Sequence, residues 1–173
     1  MRGWIYTALV AVPLALAAAP PALAQQAGKQ QVRIAKGSPL AKVFFSEPAL
    51  VLDDDGTYAG AMQRVGKELA RDCGAVESYG WDFKGMPPEQ QQQRANTVYE
   101  GTMQAFQRAG FTVAEKKVRA LPDPETLVYT ADGKEKRLVM MWSPVQDATL
   151  LLICDAGKAP PPAPAAKTAP GKK

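Results

Sequence analysis

From Tyr58 onward the apolar positions fall four, three and four residues apart, at Tyr58, Met62, Val65 and Leu69, with Arg64, Lys67 and Arg71 opposite them. That period predicts a helix over 58–72 burying a narrow face, with Gly74 as its stop. Between 75 and 83 the period drops to two. Tyr79, Trp81 and Phe83 share one side and Val76, Ser78 and Gly80 the other, so the segment reads as a strand. The helical period returns after Pro87-Pro88-Glu89, where proline is tolerated and an acid favoured in a first turn. Ala95, Val98, Tyr99, Thr102, Met103 and Phe106 mark the buried stripe of a helix over 87–109 that closes at Gly110, and Gln90 to Gln93 read as its solvated face.

Beyond Gly110 the pattern is β: strands over 111–118, 126–130, 138–142 and 149–154, with turns at Asp132-Gly133 and Gln146-Asp147. Upstream, Val43 to Phe45 and Ala49 to Leu52 read as two short strands separated by Pro48. Strands in succession with short links form antiparallel neighbours. The expected fold is therefore α+β, a two-layer sandwich whose antiparallel sheet of four to five strands carries one or two helices on one face. Leu150 to Ile153 is apolar on both faces, which suits a central strand.

The two ends differ from this core. Arg2, the apolar run from Trp4 to Ala19 and the small-x-small triplet Ala22-Leu23-Ala24 form the pattern of a secretory signal over 1–24, cleaved near Ala24. Pro13 and Pro20-Pro21 interrupt the run, so it falls short of a spanning helix and no transmembrane segment is expected after cleavage. Residues 25–41 are expected to be a flexible segment, 42–155 a single domain, and 156–173 a disordered tail rich in Pro, Ala and Lys. From Gly157 the tail has no large apolar side chain; extended as polyproline it would reach about 50 Å.

Composition refines the charge. Of the 21 Lys and Arg, one lies in the signal and four in the tail (Lys158, Lys167, Lys172 and Lys173), leaving 16 against 17 acids in the rest. The folded part is near neutral and the net charge of +4 belongs to the tail. That disfavours a nucleic-acid partner, which needs a basic face, and fits attraction of the tail to an anionic envelope surface or envelope protein.

The chain has no histidine, which excludes Ser-His and Cys-His catalytic pairs and imidazole metal sites. No phosphate-binding glycine loop or metal-ligand spacing stands in for them. Asp53-Asp54-Asp55-Gly56 fails as a calcium loop: with Gly56 at the sixth position, Val51 and Met62 occupy the first and twelfth, where carboxylates belong. Glu77 and Asp82 flank Trp81, but five residues apart they fall on opposite faces of a regular strand. Tyr79, Trp81, Phe83, Met140 and Trp142 either line an apolar ligand or partner surface or make up the core. Cys73 and Cys154 are expected to form one disulfide, closing a loop of roughly 80 residues.

These readings anticipate an exported, non-catalytic accessory protein of the periplasm or cell envelope, without cofactor or metal, that binds a protein or envelope component. A small carrier of an apolar ligand, or a hydrolase using carboxylates alone, are the alternatives.

Overall fold

A computed structural model describes residues 32–52, 56–121 and 123–158. The signal, the acid run 53–55 and the tail beyond Lys158 lie outside the described residues. In chain order the elements are β1 (Arg33–Ser38), β2 (Val43–Val51), α1 (Thr57–Glu68), β3 (Val76–Asp82), α2 (Pro88–Arg108), β4 (Thr112–Lys116), β5 (Leu127–Asp132), β6 (Arg137–Val145) and β7 (Ala148–Asp155). The strands form one sheet of order β1-β2-β3-β7-β6-β5-β4, antiparallel at every pairing. The α+β class and the returning meander are as expected.

Among the described residues the sheet holds seven strands, where the pattern suggested four to five. Two local features account for the difference. Residues 33–38, expected to be flexible, form the edge strand β1; Ile34 and Lys36 face solvent, so little in the sequence marks a buried side. The segments around Pro48 are one strand. The register with β1 jumps from Ala35↔Ala49 to Gly37↔Phe44, so residues 45–48 bulge out of the ladder, and a bulge accepts a proline that donates no hydrogen bond.

The helices cover opposite faces, which makes three layers and corrects the two-layer expectation. Along β7, Leu151 and Ile153 pack with Val98 and Phe106 of α2, whereas Leu152 and Cys154 pack with Met62 and Val65 of α1. β6 divides likewise, with Leu138, Met140 and Trp142 on the α2 side and Val139 and Met141 on the α1 side. A strand buried on both faces needs a cover on each.

α1 ends at Glu68, short of Gly74. Ala70 takes a left-handed φ of 52°, and Arg71 N–H and Ala70 N–H donate to the carbonyls of Gly66 and Lys67, closing the helix with its last carbonyls satisfied. Arg71 then forms a bidentate pair with Asp132 at 2.8 Å per contact, tying the helix end to β5. The expected disulfide is present: Cys73 and Cys154 are joined with Cα atoms 5.5 Å apart. By loop-closure entropy it stabilises the fold by about 4 kcal/mol. Order extends past Asp155, because Arg137 pairs through backbone hydrogen bonds with Ala156 and Gly157.

α2 approaches β2 at Gly101, where an added Cβ would lie 2.5 Å from Ser46 Cβ and Oγ. Gly→Ala inside a helix ordinarily stabilises by about 1 kcal/mol. Here the sign reverses: G101A lowers stability by about 1–3 kcal/mol in denaturant unfolding, and adding S46G restores much of the loss. A stabilised G101A would show that the helix and β2 are not in this contact.

Candidate functional site

The bulge in β2 shapes the surface most able to bind. β2 keeps register with β3 only at Leu50↔Gly80 and Val51↔Tyr79, so the outer part of the β1–β2 hairpin leaves the sheet and folds over the α2 face. Phe45 there meets Tyr79 and Trp81 edge-on, with ring centroids 4.8 and 5.5 Å away, and Trp81 Nε1 donates to the Glu47 carbonyl. Ala41 and Val43 join the same core as α2.

The hairpin tip is held from two sides. Glu77 accepts hydrogen bonds from Leu40 N–H at 2.9 Å, from Ser38 Oγ and from the Tyr79 hydroxyl at 3.0 Å. Lys136 Nζ donates to the Leu40 carbonyl at 3.0 Å and pairs with Asp155 at 3.1 Å. The backbone of one residue, Leu40, is thus fixed between a carboxylate on its N–H and an ammonium on its carbonyl. Burial, together with the neighbouring Glu77 carboxylate, raises the Tyr79 phenol well above the usual tyrosine range. Burial and the 2.7 Å hydrogen bond with Tyr99 do the same to Tyr129.

Two concavities flank this tip. One, of about 820 Å³, lies between the folded hairpin and β3 and is lined by Lys36, Gly37, Lys42, Phe44, Leu52 and Glu77 among others. The second, of about 1030 Å³, occupies the pole where α2 ends and the β5–β6 turn emerges. Its wall carries five cations, Lys42, Arg108, Lys134, Lys136 and Lys158, against Glu135 and Asp155. Asp155 is already paired with Lys136, so the remaining charge is strongly positive.

The residues expected to form an apolar surface lie elsewhere. Tyr79, Trp81, Phe83, Met140 and Trp142 are between 1% and 6% exposed, inside the packed layer between sheet and α2. Trp81 stacks on Trp142 at 5.4 Å, and Tyr99 meets Trp142 edge-on. Of the five, Tyr79 alone lines either concavity. Glu77 and Asp82 do not converge: Glu77 clasps the hairpin, while exposed Asp82 accepts from Lys84 N–H in a local turn. Lys158 lines the basic pole; Lys167, Lys172 and Lys173 lie outside the described residues. Among the described residues no group of three His, Cys, Asp or Glu could hold a metal ion, and no helix is long and apolar enough to cross a membrane.

Lys42, Arg108, Lys134 and Lys136 were not singled out by the sequence, because they come from three separate segments of near-neutral charge. Only Lys134-Glu135-Lys136 after Asp132-Gly133 hinted at a charged turn. Comparison with protein-family models, curated proteins and solved structures found no match to this chain.

The clasp predicts a local phenotype. E77A exposes or strands three donors, lowers stability by about 2 kcal/mol and speeds amide exchange at Leu40 and Ala41, leaving α1 unchanged. An unchanged hairpin exchange rate would remove Glu77 from this role. The phenols predict an alkaline limit. Their folded pKa lies above the unfolded value, so the contribution to stability is complete below about pH 10 and is lost as pH rises beyond it. In ultraviolet titration, Tyr79 and Tyr129, identified by Y79F and Y129F, stay protonated where an ordinary tyrosine ionises; titration with a normal midpoint contradicts this.

Proposed function

We propose that the protein is an exported, non-catalytic binding module of the bacterial cell envelope that docks on an anionic envelope surface through its basic pole and lysine-bearing tail. One observation carries this reading: Lys158, the first of the four tail lysines, lines the same concavity as Lys42, Arg108, Lys134 and Lys136. Cations that are dispersed in sequence and near a charge balance of zero in the domain as a whole are gathered at the point where the basic tail departs. The leader-like pattern over 1–24 and the disulfide accord with an oxidising destination outside the cytoplasm. The absence of histidine and the separation of Glu77 from Asp82 favour binding over catalysis.

Each lysine or arginine held near an anionic lipid surface contributes about 1 kcal/mol, screened over about 8 Å at physiological salt. Several such residues give reversible, salt-sensitive attachment.

The test is co-sedimentation of the purified protein with phosphatidylcholine vesicles, with and without phosphatidylglycerol. Binding is expected only to the anionic vesicles, falling steeply with added salt, and weakened by about tenfold or more in R108Q/K134Q. A chain ending at Gly157 should keep part of the affinity. Equal binding to neutral vesicles, or indifference to R108Q/K134Q, overturns the role of the pole. Mass spectrometry of the protein from the envelope fraction is expected to give Gln25 as its first residue; an uncleaved chain recovered from the cytoplasm would end the export reading.

A further inference from the structure

The groove of about 820 Å³ between the folded hairpin and β3 has polar side chains in its wall that satisfy one another. The Glu77 carboxylate accepts from Leu40 N–H, Ser38 Oγ and the Tyr79 hydroxyl. Ser38 Oγ in turn accepts from Ala41 N–H at 2.9 Å, and Ser78 Oγ donates to the Leu52 carbonyl at 2.8 Å. Arg33 also lines the groove and is itself engaged. Two cations are left over. Lys36 and Lys42 line the groove from either side of the hairpin turn, are exposed, and have no acid partner among the described residues.

The rest of the lining is apolar and comes from Ala35, Pro39, Phe44, Val51, Leu52 and Val76. Phe44 is 80% exposed, more than any other large apolar side chain among the described residues. Its bareness has a local cause. Residues directly opposite in an antiparallel pair share a face and cover each other. Opposite Phe44 stands Gly37, which has no side chain to offer and cannot carry one, since a Cβ there would lie 2.2 Å from the Val43 carbonyl oxygen. The ring is therefore left uncovered in the groove wall by the close approach of the two strands. A concavity of this volume is in the range of small-molecule sites, which pair an apolar lining with a few polar groups that fix orientation.

We propose that this groove binds a single-chain amphiphile with an anionic head. The acyl chain lies against Phe44, Val51, Leu52 and Val76, and Lys36 and Lys42 hold the head. Charge selects that head: a cationic one would meet two lysines, and Glu77 already accepts three hydrogen bonds. A neutral chain would desolvate the two ammonium groups without pairing them, which costs binding energy. The chain's own tail from Gly157 offers neither part, because it has no large apolar side chain and its charges are all lysine. On the docking reading above, Lys42 acquires a second meaning. It lines both concavities, so a protein resting on an anionic bilayer by its pole holds the groove beside a source of such molecules. The groove assignment itself does not depend on that reading.

The probe is decanoate, titrated into the full protein by calorimetry at neutral pH, with hexanoate, decanol and decyltrimethylammonium beside it. Each fully buried methylene strengthens binding about fourfold, so in a groove open on one side decanoate is expected to bind at least about tenfold more tightly than hexanoate. Decanol and the cationic amphiphile should bind several-fold more weakly than decanoate. F44S and K36Q, both at exposed positions, should each weaken decanoate binding several-fold without changing the melting temperature. Bound decanoate should slow amide exchange from Gly37 to Phe44 and leave β4 unchanged. No binding, no gain with chain length, equal binding of decanol or decyltrimethylammonium, or indifference to F44S or K36Q overturns the proposal. So does sedimentation showing a dimer that F44S dissociates, which would assign the ring to a second copy. K36Q should leave vesicle binding intact and R108Q/K134Q should leave decanoate binding intact, so groove and pole stand or fall separately.

Discussion

Leu151 and Ile153 on one side of β7, with Leu152 and Cys154 on the other, oblige the protein to cover both faces of its sheet. β6 repeats the demand one strand over. A single helix on one face would leave a continuous apolar surface in water, and burying a valine- or leucine-sized side chain is worth about 1.5–3 kcal/mol. α2, of 21 residues, meets the larger face by crossing from β3 to β4. α1, of 12 residues, meets the smaller one, where the bond from Cys73 to Cys154 and the pair of Arg71 with Asp132 hold down what a short helix packs weakly.

The larger face is wider than α2, and the folded hairpin fills the remainder. That explains why β2 departs from β3 after two paired residues and why Ala41, Val43 and Phe45 point into the α2 core. It also explains the clasp: a hairpin that has left the ladder has lost strand partners, and Glu77 and Lys136 supply replacements at Leu40. Both concavities follow from the same move. Folding the tip inward leaves a groove behind it along β3 and brings Lys42 to the basic pole.

How much of this the sequence disclosed depends on whether burial left a period. Helix α2 and the strands from β3 to β7 carry regular stripes because one or both faces are buried, and their positions were legible. So was the disulfide, from the two cysteines of a chain whose first residues read as a secretory signal. β1 left no stripe because its outward residues are partly apolar and its inward ones small, as at Ala35 and Ser38. Pro48 reads as a breaker in one dimension and as a bulge in three. The second cover was missed because α1 and α2 both display one apolar face, and amphipathicity does not say which side of a sheet it meets. The aromatic residues were located correctly on β3 and β6, but spacing cannot distinguish a lined pocket from a filled one. The basic pole was invisible because Lys42, Arg108 and Lys134 are neighbours only after the hairpin and α2 converge on the β5–β6 turn.

Among the described residues β7 is the last strand made and also lies fourth of seven, between β3 and β6. While a ribosome is still producing the segments before it, β3 and β6 have no partner between them, and Cys73 has no thiol to join. The order of synthesis therefore postpones assembly: a nascent chain can form hairpins and helices early, but the sheet closes only once Asp155 has emerged. Until then the sheet lacks its central strand, and afterwards one strand insertion and one oxidation lock it.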